Sequence, residues 1–202
     1  MTELWLPILF AFGFQIFILF VIFHFFEKRN KQIKDLYERI SSKRNGELVI
    51  KNVFSWKYFS GVRIPCDSEQ VTLCHIPGQK NSPPYTMLKC DLNVQNDCSL
   101  NVYPETVLSK IGKGLGGQDI LMGYPPFDEV FIIKSKNEML ARSVLVPEIQ
   151  ESILSLKNKH PHLKLNKKKF ELSVPQDIMV EEEIDQFIDV AQKIVRKIKE
   201  TG

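Results

Sequence analysis

The chain opens on an unbroken apolar run. Residues 4–26 hold no obligatory charge, and eight of the 14 Phe fall between Phe10 and Phe26. At about 1.5 Å per residue this run makes roughly 34 Å of helix, enough for a hydrocarbon core of about 30 Å, and it predicts one transmembrane helix. Pro7 sits in its first turn, where a missing N–H costs little, and Trp5 lies at headgroup depth. A cleaved leader fits less well: the start is not basic and no small-x-small site follows Phe26. After Glu27 the pattern becomes amphipathic. Ile33, Leu36, Tyr37 and Ile40 recur at i, i+3, i+4 and i+7, which predicts a helix over 27–42 with its basic residues on the other faces. A coiled-coil seam, a membrane-surface helix and a stalk packed on its own domain all fit two turns of such a pattern.

Asn45-Gly46 ends that helix, and β-like runs follow over 47–54, 70–76, 85–94 and 99–103. In 85–94 the side chains of Thr86, Leu88, Cys90, Leu92 and Val94 share one mostly apolar face, while Lys89, Asp91 and Asn93 take the other, as in a half-buried strand. Pro77-Gly78 and Ser82-Pro83-Pro84 punctuate these runs and predict an antiparallel meander. Further on, 129–135 reads as a strand. The capping-box spacing of Ser135 and Glu138 starts a helix with Met139, Leu140 and Val144 inward. Pro147 suits the first turn of a second helix reaching about residue 159, and 163–165 with 170–174 forms a hairpin. A closing helix over 181–199 carries Ile184, Phe187, Ile188, Ala191, Ile194, Val195 and Ile198 on one stripe, acidic at its start and basic at its end. The expected class is α+β: an N-terminal transmembrane helix, then a mostly antiparallel sheet with C-terminal helices. The expected organisation is a transmembrane anchor over 1–26, a basic juxtamembrane helix over 27–44 and a cytoplasmic domain over 45–202.

Charge sets the expected sidedness. Only Glu3 and the amino terminus precede the apolar run, whereas Lys28, Arg29, Lys31, Lys34, Arg39, Lys43 and Arg44 follow it. The positive-inside rule then places the amino terminus outside the cell membrane and the domain in the cytoplasm. The net charge of +3 is too small to imply nucleic acid. Anionic headgroups account for the basic cluster, with Lys28, Arg29, Lys31 and Lys34 as the expected membrane-surface residues. The bilayer is thus the expected partner, beside a protein partner that the sequence does not specify.

Candidate chemistry is sparse. Cys66, Cys74, Cys90 and Cys98 form two pairs with seven residues between members, whereas structural zinc sites space paired ligands by about two to four; buried thiols are the favoured reading over zinc or disulfides. The stretch Gly112-Lys113-Gly114-Leu115-Gly116-Gly117 lacks the strand before it and the Lys-Ser/Thr after it that a phosphate-binding loop needs, so a turn closing a short helix over 104–111 is expected. Pro161 between His160 and His162 implies a surface turn. Gln118, Asp119 and Asp128 make up the one candidate functional loop, without catalytic residues, metal or cofactor assigned.

A set of short motifs carries a resemblance. Leu100-Asn101-Val102-Tyr103-Pro104-Glu105, then Gly117-Gln118-Asp119-Ile120 with Gly123, then Phe127-Asp128-Glu129-Val130-Phe131-Ile132-Ile133, then 141–148, resemble an uncharacterised bacterial family of membrane-anchored proteins with a QDI…G…FDxxFxI…LLxPE-like core. The resemblance spans about residues 95–200. It implies a shared domain design and supplies no activity. The expected function is an interaction or scaffold domain held at a membrane, more readily non-catalytic than an enzyme. The alternatives are a membrane-tethered, metal-dependent hydrolase using Asp119 and Asp128, and a sensor of anionic lipid surfaces.

Overall fold

The computed structural model describes residues 5–53, 56–78, 83–92, 99–105 and 120–201, with side chains described outside 5–12, 26 and 51–60. One uninterrupted helix, α1 (Trp5–Lys43), takes in both the apolar run and the basic segment that sequence divided at residue 26. Four strands follow, β1 (Glu47–Val53), β2 (Trp56–Cys66), β3 (Glu69–Ile76) and β4 (Tyr85–Asp91), then β5 (Ser99–Pro104). A one-turn helix α2 (Pro125–Asp128) leads into β6 (Phe131–Ser135), α3 (Glu138–Val144) and α4 (Pro147–Leu154). The hairpin β7 (His162–Asn166) and β8 (Lys169–Val174) precedes the closing helix α5 (Glu181–Thr201).

All eight strands form one antiparallel sheet in the order β1-β2-β3-β4-β8-β7-β5-β6. The first four make an antiparallel meander, but it runs through β2, which the sequence pattern does not predict, and does not continue to β5. The late hairpin enters between β4 and β5, a long-range pairing that local pattern does not encode. Strand β2 is absent from the sequence expectation because Gly61 and Pro65 interrupt it. Pro65 is tolerated where β1 has already ended, since Glu47 at the start of β1 pairs with Arg63. Gly61 is needed outright: a Cβ there would fall far inside contact with the Leu73 carbonyl oxygen, opposite a bulge at Val49 and Ile50.

The helices pack on one face of the sheet. Ile33, Leu36, Tyr37 and Ile40 of α1 are at most 3% exposed and join the apolar stripe of α5 over Val62, Leu73 and Leu88. The amphipathic segment is therefore a stalk packed on its own domain. At the far end, α3 is capped by Asn137, whose Oδ1 accepts from the Leu140 N–H at 3.1 Å. Ser135, the expected cap, instead closes a local turn onto Asn137, so the helix starts two residues later than expected. With Leu140, Ala141 and Val144 facing the core, Met139 falls on the opposite side and is 82% exposed, against the expectation that it packs inward.

The N-terminal part of α1 corrects a larger expectation. Among the described residues no helix is long and apolar enough to cross a membrane. The transmembrane helix, the single-pass and signal-anchor reading, and the sidedness derived from them therefore lose their support. What the structure describes is an exposed apolar helical arm continuous with the docked stalk.

Candidate functional site

Two regions carry the side chains singled out by the sequence: the arm–stalk junction of α1, and the loop before β6. The junction is built on acid–base pairing between α1 and the segment 177–189. Thr86 on β4, 1% exposed, fixes that segment's entry. Its Oγ1 donates to the Gln176 carbonyl at 2.9 Å and accepts from the Ile178 N–H at 3.1 Å. Asp177 is thereby held inward, its side chain only 7% exposed. The Arg29 guanidinium donates to one carboxylate oxygen, and His75 Nδ1 lies 2.9 Å from the other. Burial pushes the His75 imidazole below its ordinary value, and Asp177 only partly offsets this. Burial likewise pushes the nearby Tyr37 phenol up.

Further along, Glu181, Asp185 and Asp189 recur every four residues on α5 and face the end of α1. Arg39 reaches Glu181 at 3.3 Å, Lys43 reaches Asp185 at 2.5 Å, and Arg44 bridges Asp185 and Asp189, both at 2.7 Å. Burial pushes the Asp185 carboxyl up, but the hydrogen bonds and charges of Lys43 and Arg44 outweigh it and hold it below the usual carboxylate value. The same bond to Asp185 raises Lys43. Of the expected membrane-surface residues, Arg29 is thus paired with Asp177 at the surface, and Lys34 faces Glu38 on its own helix at 3.5 Å. Lys28 and Lys31 are exposed. Sequence reasoning missed Asp177 and the acidic stripe of α5, although the four-residue spacing of the stripe is visible in the chain.

Beyond the stalk, the arm offers apolar surface on every side. Phe14, Phe17, Leu19, Phe20, Phe23 and Phe25 are each 57–66% exposed. A soluble monomer rarely leaves contiguous apolar surface of this extent uncovered.

The loop before β6 has a different character. Asp128 accepts from the backbone N–H groups of Met122 at 2.9 Å, Gly123 at 2.9 Å and Tyr124 at 3.1 Å. Gly123 has φ +82°, a conformation that glycine takes without strain. The carboxylate closes a turn, and its oxygens are committed to main-chain donors. Gln118, Asp119 and the glycine stretch lie outside the described residues, as does 106–111 of the helix expected over 104–111, whose first residue, Pro104, instead ends β5. Cys66, Cys74 and Cys90 are buried, and Cys98 also lies outside the described residues. His160 takes a left-handed turn conformation, and no group of three or more metal-ligating side chains occurs among the described residues.

No family model and no curated protein matches the chain. Among solved structures it is similar to mycobacterial trehalose monomycolate transport factor A, TtfA. That crystal structure matches with a TM-score of 0.53 at 11% identity, over 81% of this chain and 94% of that one. At such identity the likeness shows a shared fold. It covers nearly all of the solved chain.

Proposed function

We propose that the chain is a non-catalytic interaction or scaffold module held against lipid by the apolar arm of α1. The observation that carries this reading is the ring of exposed Phe, Leu and Ile side chains over residues 13–25, on a helix whose next turns are bonded to the domain. Lipid chains are the solvent such a surface matches. The motif resemblance to proteins that look membrane-anchored points the same way. Similarity to a protein named as a transport factor is compatible with an accessory role. The hydrolase alternative asks Asp128 to give up three backbone partners, and the lipid-charge sensor has fewer basic residues to use, because Arg39, Lys43 and Arg44 are paired with α5 and Arg29 with Asp177.

Flotation with vesicles tests the reading. The full chain, transferred from mild detergent, is expected to float with neutral phosphatidylcholine vesicles and to stay bound in about 0.5 M salt, where charge attraction is screened. Phe17→Glu/Phe20→Glu/Phe23→Glu is expected to remain at the bottom. Binding that requires anionic lipid and is lost in salt would support the sensor instead. Equal flotation of the triple variant would remove the arm from the argument.

A further inference from the structure

The face of the sheet away from the helices holds a pocket that the arm and stalk do not use. Strand register builds it. Met87 on β4 pairs with Ser173 on β8, which pairs with His162 on β7, and the Tyr103 ring stacks on His162 with centroids 6.4 Å apart. In the neighbouring row Glu171 stands between Lys89 and Lys164. The resulting cavity of 350 Å3 has an apolar wall of Pro83, Tyr85, Met87 and Pro175, and a polar side of His162, Lys164, Glu171 and Ser173. That volume is near the small end of the range for ligand pockets, about 300–1,000 Å3.

The charges around it are not balanced. The one carboxylate among the described lining residues, Glu171, is already bound by Lys169, and Lys89 flanks it from the other strand. Lys164 stands opposite Glu171 in register but makes no ion pair with an acid among the described residues. Burial, together with Lys164 and His160, lowers the His162 pKa, so near neutral pH the imidazole is uncharged and, among the described lining residues, the ammonium of Lys164 is the one cation without an ion pair. An apolar wall facing one unneutralised cation is complementary to a molecule with an apolar body and one negative end.

We propose that this pocket binds a small anionic amphiphile, with an apolar body of bicyclic-ring or short-acyl size against Tyr85 and Met87 and its carboxylate at Lys164. The site is independent of the lipid-facing arm, and its test leaves the proposed scaffold role untouched. The probe is naphthalene-2-carboxylate, added to the full chain in mild detergent with 13C-methyl-labelled methionines. Met87 lies in the pocket, whereas Met139 is 82% and Met179 39% exposed elsewhere. The Met87 methyl resonance is expected to move along a saturating curve while Met139 and Met179 stay still. Lys164→Glu is expected to weaken binding about tenfold or more, and so is replacing the acid by 2-naphthalenemethanol on the unaltered chain. Equal movement of all three methyls, an unchanged affinity in Lys164→Glu, or an alcohol that binds as tightly as the acid would each overturn the proposal.

Discussion

Replacing Asp177 by Asn tests whether α1 is fixed to the domain by charge as well as by packing. The carboxylate is 7% exposed and its Arg29 partner 55%. Two unit charges about 4 Å apart at an effective dielectric of about 20 attract by about 4 kcal/mol. Desolvating the carboxylate opposes that attraction, and the half-exposed guanidinium is screened by water, which leaves a net contribution of about 1–2 kcal/mol. Asp177→Asn keeps the shape and removes the charge, so it is expected to lower unfolding free energy by that amount. A double-mutant cycle with Arg29→Gln isolates the pair, with an expected coupling of about 1 kcal/mol in urea unfolding followed by far-ultraviolet circular dichroism. A coupling within about 0.3 kcal/mol of zero would refute the reasoning and leave the stalk held by its apolar side chains alone. The pair also sets an acid response. The fold holds His75 below its ordinary pKa of 6.5, so the unfolded chain takes up its proton first and stability falls as pH drops below that value. Because Asp177 is the group that favours protonated His75, Asp177→Asn is expected to steepen this loss.

Gly61→Ala is expected to cost about 2–4 kcal/mol or to prevent folding, because its Cβ would meet the Leu73 backbone oxygen; an unchanged melting temperature would contradict this. Asp128→Ala removes the acceptor for three N–H groups and is expected to speed amide exchange at residues 122–124 at least about tenfold, while leaving α5 protected; unchanged exchange would show that the turn closes without it. Burial holds the Cys66 thiol above its ordinary value and pushes that of Cys90 up to about 12. Above pH 9 the unfolded chain releases protons that the fold keeps, so stability is expected to decline with rising pH, and Cys66→Ala/Cys90→Ala is expected to flatten that slope in alkaline unfolding titrations.

Where one face of an element is wet and the other dry, its sequence pattern reported it faithfully. The alternation in β4 and the stripes of α5 and of the stalk each correspond to buried residues in the structure. The pattern failed where backbone geometry overrode it, as in β2, whose Gly61 and Pro65 answer to a close strand approach and to the end of a neighbour. It also failed for contacts between distant segments. Nothing local announces that β8 pairs with β4, and so nothing local places Glu171 between Lys89 and Lys164. Asp128 shows the opposite case. A side chain that follows glycine-rich sequence drew attention as a functional carboxylate, and the structure spends it on main-chain donors.

The basic residues after the apolar run teach the sharpest lesson about charge. Read along the chain, they are a single cluster beside an apolar segment, and lipid headgroups are the simplest partner for it. Folded, they divide. Arg29, Arg39, Lys43 and Arg44 turn toward acids that lie some 140 residues away, and Lys28 and Lys31 remain exposed where the arm begins. The division has a mechanical consequence. A helix of 39 residues, about 58 Å long, has its last turns fixed to β1, β2 and α5 by four buried apolar side chains and by these ion pairs. No break in α1 separates the arm from the stalk, so whatever surface takes up the arm also sets the direction in which the domain stands. A flexible tether would give the domain reach, whereas this continuous helix gives it orientation, as the proposed scaffold role requires.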